Sequence, residues 1–143
     1  MEQFIEFVGN HPYLFTALFI VIALLIGSIV GELLWGAQAV LPQEATLLIN
    51  REDAVILDVR EENEYKQGHI LNAMHIPLGA LSSKIGRLEK FRNRPIVANC
   101  LNGHRSARAC SLLKKHGFEK VYNLKGGINA WQEASLPITR GKS

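Results

Sequence analysis

Between Pro12 and Gly31 the chain carries no charged side chain, and the stretch from Tyr13 to Val30 is apolar on every face a helix could present. About 20 residues rising about 1.5 Å each reach about 30 Å, the thickness of a bilayer's hydrocarbon core. The pattern therefore predicts a membrane-spanning helix over residues 13–35, after an amino-terminal tail of residues 1–12. Tyr13 and Trp35 flank the run where amphipathic rings favour the membrane interface. Thr16 and Ser28 can return their hydroxyls to carbonyls one turn back. A buried core helix is the poorer account, because so short a remainder cannot wrap a helix that lacks a polar face. A cleaved signal peptide is the sharper rival, since Ala37-Gln38-Ala39 has the small-x-small form of a cleavage site. No basic residue precedes the run, however, and the run is longer than the ~7–15 residues of a signal core.

Beyond a connector at residues 36–41 the period changes. Pro42 suits the first turn of a helix running through Glu44, Leu47 and Leu48. Residues 54–57 form a continuous apolar run ending in Asp58-Val59-Arg60, as expected of a strand buried on both faces. Further strands are predicted at 73–76, 96–99 and 121–124, and helices at 61–67, 81–88, 106–116 and 128–133. Short apolar strands alternating with short helices predict an α/β domain over 42–138 with a parallel sheet covered on both faces, followed by a tail at 139–143.

Charge divides the chain at the same place. Of its 143 residues, the first 50 hold four acids and no Lys or Arg; the rest hold all 16 basic residues and the remaining nine acids. Such a break excludes a uniform soluble globule and a disordered chain. Because positive charge is retained in the cytoplasm and Arg51 is the first base after the span, the tail is expected outside and the domain inside. The cluster Lys84, Arg87, Lys90, Arg92, Arg94 has only Phe91 interleaved. It is read as a solvated face, with anionic lipid a weaker alternative and nucleic acid unsupported.

In open parallel sheets, ligands sit beyond the carboxyl ends of strands. After the strand at 96–99 come Cys100, Leu101, Asn102, Gly103, His104 and Arg105, then Ser106 and a helix. A cysteine, a Gly-containing turn and a helix start converge backbone N–H groups on one sulfur, and Arg105 adds positive charge. A lowered thiol pKa alone gains only about threefold in rate, because a larger thiolate fraction is offset by a weaker nucleophile. The larger use of the loop is to hold an anionic donor and the charge that develops as a bond breaks. Cys110, in neither a metal-ligand pair nor a Cys-x-x-Cys arrangement, is read as a core thiol. Asp58 and Arg60 stand where they could support the loop, with a structural ion pair the simpler role. His69 is read as structural and His104 as solvent-exposed. His75 and His116 lack ligand spacing, so no metal is proposed. Trp131 is expected to anchor the last helix.

Cys100-x-x-Gly103-x-Arg105-Ser106, preceded by Leu57-Asp58-Val59-Arg60, Glu64-Tyr65-x-x-Gly68-His69-Ile70-x-x-Ala73 and Ile76-Pro77, and followed by Leu124-x-Gly126-Gly127-x-x-x-Trp131, resembles the rhodanese homology domain over about residues 40–138. With its apolar helix the chain looks like the single-pass rhodanese-like proteins of bacterial inner membranes. The resemblance implies a five-stranded parallel sheet and a sulfurtransferase cycle. In that cycle Cys100 takes sulfur from an anion such as thiosulfate, becomes a persulfide and passes the outer sulfur to a thiol or cyanide. Residues 101–106 would bind the substrate, and no cofactor is required. Related phosphatases carry a loop one residue longer, which counts against phosphate chemistry. Asn72 replaces the Gly common in the family and is expected to tolerate the left-handed turn there. A membrane-tethered module that binds or regulates membrane proteins without turnover is the alternative function.

Overall fold

In a computed structural model, described here for residues 1–141, the chain forms two units, residues 1–35 and the remainder from Gly36. The first unit holds α1 (Glu2–Asn10) and α2 (Pro12–Trp35). The expected tail is thus largely helical, and α1 stops where Pro12 disfavours helical geometry at the residue before it: His11 sits at φ −132°, ψ 55°. Thr16 donates to the Pro12 carbonyl at 2.9 Å, one turn back. The 20 residues Pro12–Gly31 are long and apolar enough to cross a membrane, and none of that stretch is buried. The Trp35 side chain lies outside the described set.

The second unit contains β1 (Gln38–Val40), α3 (Pro42–Glu52), β2 (Val55–Asp58), α4 (Glu62–Gln67), β3 (His69–Ile70), β4 (Met74–His75), α5 (Leu78–Lys84), β5 (Ile96–Asn99), α6 (His104–Lys115), β6 (Val121–Leu124), α7 (Gly127–Glu133) and β7 (Ile138–Thr139). A 3-10 helix (Ile85–Phe91) follows α5. Five strands form one parallel sheet in the order β1-β6-β5-β2-β4. β3 and β7 form a separate antiparallel pair.

Three expectations need correction. The connector at 36–41 contains β1, an edge strand in which only Val40 is buried. Its identity comes from pairing with β6, 84 residues away at Gln38 and Tyr122, and not from a local apolar run. The tail at 139–143 begins inside β7, whose Ile138 pairs with Ile70; its last two residues lie outside the described set. The helix expected at 81–88 is α5 beginning at Leu78 and giving way to the 3-10 helix at Ile85, next to Gly86, a weak helix former.

Strand alternation divides the core. Leu57, Val59, Ile96, Ala98 and Cys100 face α5 and α6 with Leu81, Ala109, Leu113 and Phe118. Ile56, Val97 and Leu124 face the other way, toward Ala45, Tyr65, Ile128 and Trp131 of α3, α4 and α7. Trp131 is buried and its indole N–H donates to the Pro137 carbonyl at 3.0 Å, so it anchors α7 as expected. From β2 the chain moves to one side of the sheet for β4 and then to the other for β5 and β6. That reversal opens a crevice at the carboxyl ends of β2 and β5, where the Asp58–Arg60 and Cys100–Ser106 segments lie side by side.

Candidate active site

Cys100 follows the last residue of β5, with its side chain fully enclosed. The carbonyls of Cys100, Leu101 and Gly103 are held by other partners, while N–H groups of Asn102, Gly103 and Ser106 face the sulfur. Ile128 N–H donates to the Cys100 carbonyl at 2.8 Å, and Asn129 N–H to that of Leu101 at 3.3 Å. The Asn123 side chain donates through Nδ2 to the Gly103 carbonyl at 3.1 Å. With these oxygens held away, Gly103 N–H donates to Sγ at 3.1 Å. Gly103 itself has φ 103°, a conformation that suits glycine. Gly127, at φ 59°, lets α7 approach: a Cβ there would overlap the Cys100 and Leu101 carbonyls.

Ser106 Oγ lies 3.3 Å from Sγ and donates to Asn123 Oδ1 at 2.6 Å. A hydroxyl has one hydrogen, so while it points at Asn123 the thiol donates to Ser106; when the sulfur ionises, the hydroxyl can turn and donate to it. Burial opposes ionisation of Cys100. The Ser106 hydroxyl and the N–H groups of Ser106, Asn102 and Gly103 outweigh that cost and hold its pKa below the ordinary thiol value. Cys110 is equally buried but has the opposite setting. Its thiol donates to the Tyr122 carbonyl at 3.4 Å, and burial pushes its pKa up to about 12.

Leu101, Asn102 and His104 are exposed, and Asn102 Oδ1 accepts the His104 N–H at 3.4 Å. Arg105 does not stand free. Its Nη1 and Nη2 each donate to a Glu64 carboxylate oxygen at 2.8 Å. That pairing holds the Glu64 carboxyl down to about 2 and raises Arg105. Asp58 and Arg60 form a buried ion pair, with Nη2 2.7 Å from Asp58 Oδ2; Nη2 also donates to the Gly68 carbonyl at 2.7 Å. Breaking such a pair by removing one partner costs about 3 kcal/mol or more. His69 donates through Nδ1 to the Tyr65 carbonyl at 2.8 Å and stacks on Tyr65 at 3.7 Å between centroids, the structural role expected of it. Asn72 adopts φ 62°, the left-handed turn anticipated for it.

Sequence reading missed Glu64, Asn123 and the role of Gly127. Asn123 is the next-to-last residue of β6, beside the loop, a position the parallel-sheet argument itself marks for attention. Glu64 had appeared only as part of a family motif, and its partner lies 41 residues away.

The profile of the Rhodanese-like domain matches residues 41–134. The chain belongs to that family. Over 143 residues it is 32% identical to the Escherichia coli (strain K12) protein named "Uncharacterized protein YibN", covering 99% of this chain and 100% of that one. Over 91 residues it is 36% identical to the "Sulfurtransferase" of Allochromatium vinosum, covering 64% and 83% respectively. Its fold matches the crystal structure of a rhodanese-related protein from Thermoplasma volcanium with a TM-score of 0.65 at 30% identity, covering 71% of this chain and 97% of that one. The five-stranded parallel sheet expected of a rhodanese fold is thus present, and the family includes proteins named sulfurtransferases.

Proposed function

We propose that the chain is a membrane-anchored sulfurtransferase with Cys100 as nucleophile and sulfur carrier. The thiolate attacks the sulfane sulfur of a donor such as thiosulfate. A bond forms to Sγ, the donor S–S bond breaks, and sulfite leaves with the electron pair. A thiolate or cyanide then attacks the outer sulfur, and Cys100 leaves as thiolate. The N–H groups of Asn102, Gly103 and Ser106 cradle the charge, Arg105 in its pair with Glu64 is the neighbouring cation, and the buried Asp58–Arg60 pair supports the loop. No cofactor enters the cycle.

The observation that carries this reading is the convergence of the Asn102, Gly103 and Ser106 N–H groups on one buried sulfur, with Gly103 N–H at 3.1 Å. Such preorganised donors stabilise charge without reorganising during the reaction. Incubating the chain with excess thiosulfate and measuring intact and peptide masses tests it. A gain of about 32 Da on Cys100, reversed by cyanide, is expected of a persulfide; reduced Cys100 without the adduct overturns it. The apolar helix α2 supports a single span of the inner membrane with the domain in the cytoplasm. Impermeant labelling of single cysteines placed near residues 3 and 140 tests that topology, and label reaching only the latter reverses it.

A second reading, a tethered module that docks membrane proteins without turnover, is favoured by the enclosure of Cys100 and the pairing of Arg105 with Glu64. Full complementation of a deletion strain by Cys100→Ala supports the module; loss of function supports the enzyme.

A further inference from the structure

Two guanidinium groups stand beside the Cys100 loop, and each already holds a carboxylate. Arg60 is committed to Asp58 and to the Gly68 carbonyl. Arg105 is held through both terminal nitrogens by Glu64. The Glu64 carboxylate is fixed from its own helix as well, accepting the Glu61 N–H at 3.0 Å at the start of α4. It is therefore built into place as a capping residue at the third helical position. A groove of about 400 Å³ opens beside the loop, bordered by Arg60, Glu64, Gln67, Leu101, Asn129 and Gln132. A donor that approaches the loop through this groove passes Arg60 and the Glu64 carboxylate, both already committed to ion pairs.

We infer that Glu64 is a specificity-determining charge filter: by occupying the Arg105 guanidinium it favours sulfane donors carrying one negative charge over dianions such as thiosulfate. The inference rests on the sulfurtransferase reading above. The chemical step is the same for either donor. Cys100 thiolate bonds to the sulfane sulfur, the bond from that sulfur to the oxidised sulfur breaks, and the pair leaves on a sulfinate from a thiosulfonate or on sulfite from thiosulfate. What differs is charge. The repulsion from one carboxylate scales with the charge of the donor, so removing it gains a dianion the square of what it gains a monoanion.

Methanethiosulfonate and thiosulfate are the matched probes, assayed by sulfur transfer to cyanide with the full chain. Glu64→Gln keeps a residue that can cap α4 while removing the charge and one of the two oxygens that hold Arg105. It is expected to raise kcat/KM about tenfold for thiosulfate and about threefold for methanethiosulfonate. Glu64→Asp retains the charge and is expected to keep the wild-type ratio between donors. Equal gains for both donors, or losses for both, overturn the filter and leave Glu64 as a positioning residue for Arg105. The wild-type chain provides a check that needs no variant: methanethiosulfonate exceeding thiosulfate in kcat/KM agrees with the filter, and the reverse order contradicts it. If neither donor loads Cys100, it is the sulfurtransferase reading that fails.

Discussion

Cys100 and Cys110 are ten residues apart, both fully buried and packed in the same apolar cluster, yet their thiols are driven in opposite directions. Cys100 follows the end of a strand, where the chain turns and N–H groups face the sulfur. Cys110 lies within α6, where its thiol donates to the Tyr122 carbonyl and burial outweighs the backbone hydrogen bonds at Ala98 and Cys110. A carbonyl accepts from a thiol but repels a thiolate. Burial alone therefore does not determine whether a cysteine is reactive; what decides is whether the donors facing the sulfur outweigh it, as the Ser106 hydroxyl and the loop N–H groups do at Cys100.

The largest expected effect separates the two directly. Cys100→Ser should lower sulfur transfer by about a thousandfold or more, since no other nucleophile takes its place, whereas Cys110→Ser should leave kcat within about threefold of wild type because it touches no reacting atom. Comparable losses in both variants, measured by cyanide-dependent thiocyanate release, would erase the distinction. Next comes the scaffold that turns the loop. Gly127→Ala places a Cβ against the Cys100 and Leu101 carbonyls at a positive φ, and is expected to cost about 3 kcal/mol in urea unfolding and to abolish loading. Ser106→Ala removes a donor available to the thiolate and should reduce loading about tenfold, with its pH midpoint moving upward. An unchanged midpoint would show that the backbone N–H groups suffice.

The smallest effect is in stability against pH, and its sign differs between the two thiols. Cys100 has a lowered folded pKa, so its contribution is present above the ordinary thiol value and is lost as pH falls through the lowered one. Cys110 is raised from 9.0 to about 12. Across that window the unfolded thiol ionises while the folded one cannot, so stability falls as pH rises, by about 1 kcal/mol at pH 10. Cys110→Ala should flatten the fall in unfolding free energy above pH 9.0 relative to wild type; an unchanged slope would show that Cys110 ionises freely in the folded chain.

Where local pattern and burial coincide, the sequence was readable. The uncharged run anticipates α2, and the apolar run at 54–57 and the strand expected at 96–99 anticipate the two central strands, buried at every position. The Cys100 loop followed from its place at a strand end. Elements made by distant partners were not readable. Gln38 and Ala39 are exposed in β1 and carry no strand pattern; β3 and β7 are two-residue strands that exist only through each other. Glu64 shows the same limit at the site. Its spacing from Glu61 marks a helix start, and nothing local marks Arg105 as its partner. Gly127 is visible as half of a Gly-Gly pair, but the carbonyls it accommodates are known only once α7 docks.

Titrating the ultraviolet absorbance of the thiolate in wild type, Cys100→Ser and Cys110→Ser compares both thiols without requiring a reagent to reach either one. The Cys100 transition is expected below the ordinary thiol range and the Cys110 transition near pH 12. Coincident transitions, or Cys110 ionising first, would contradict the claim that the turned loop selects Cys100 as the sulfur carrier.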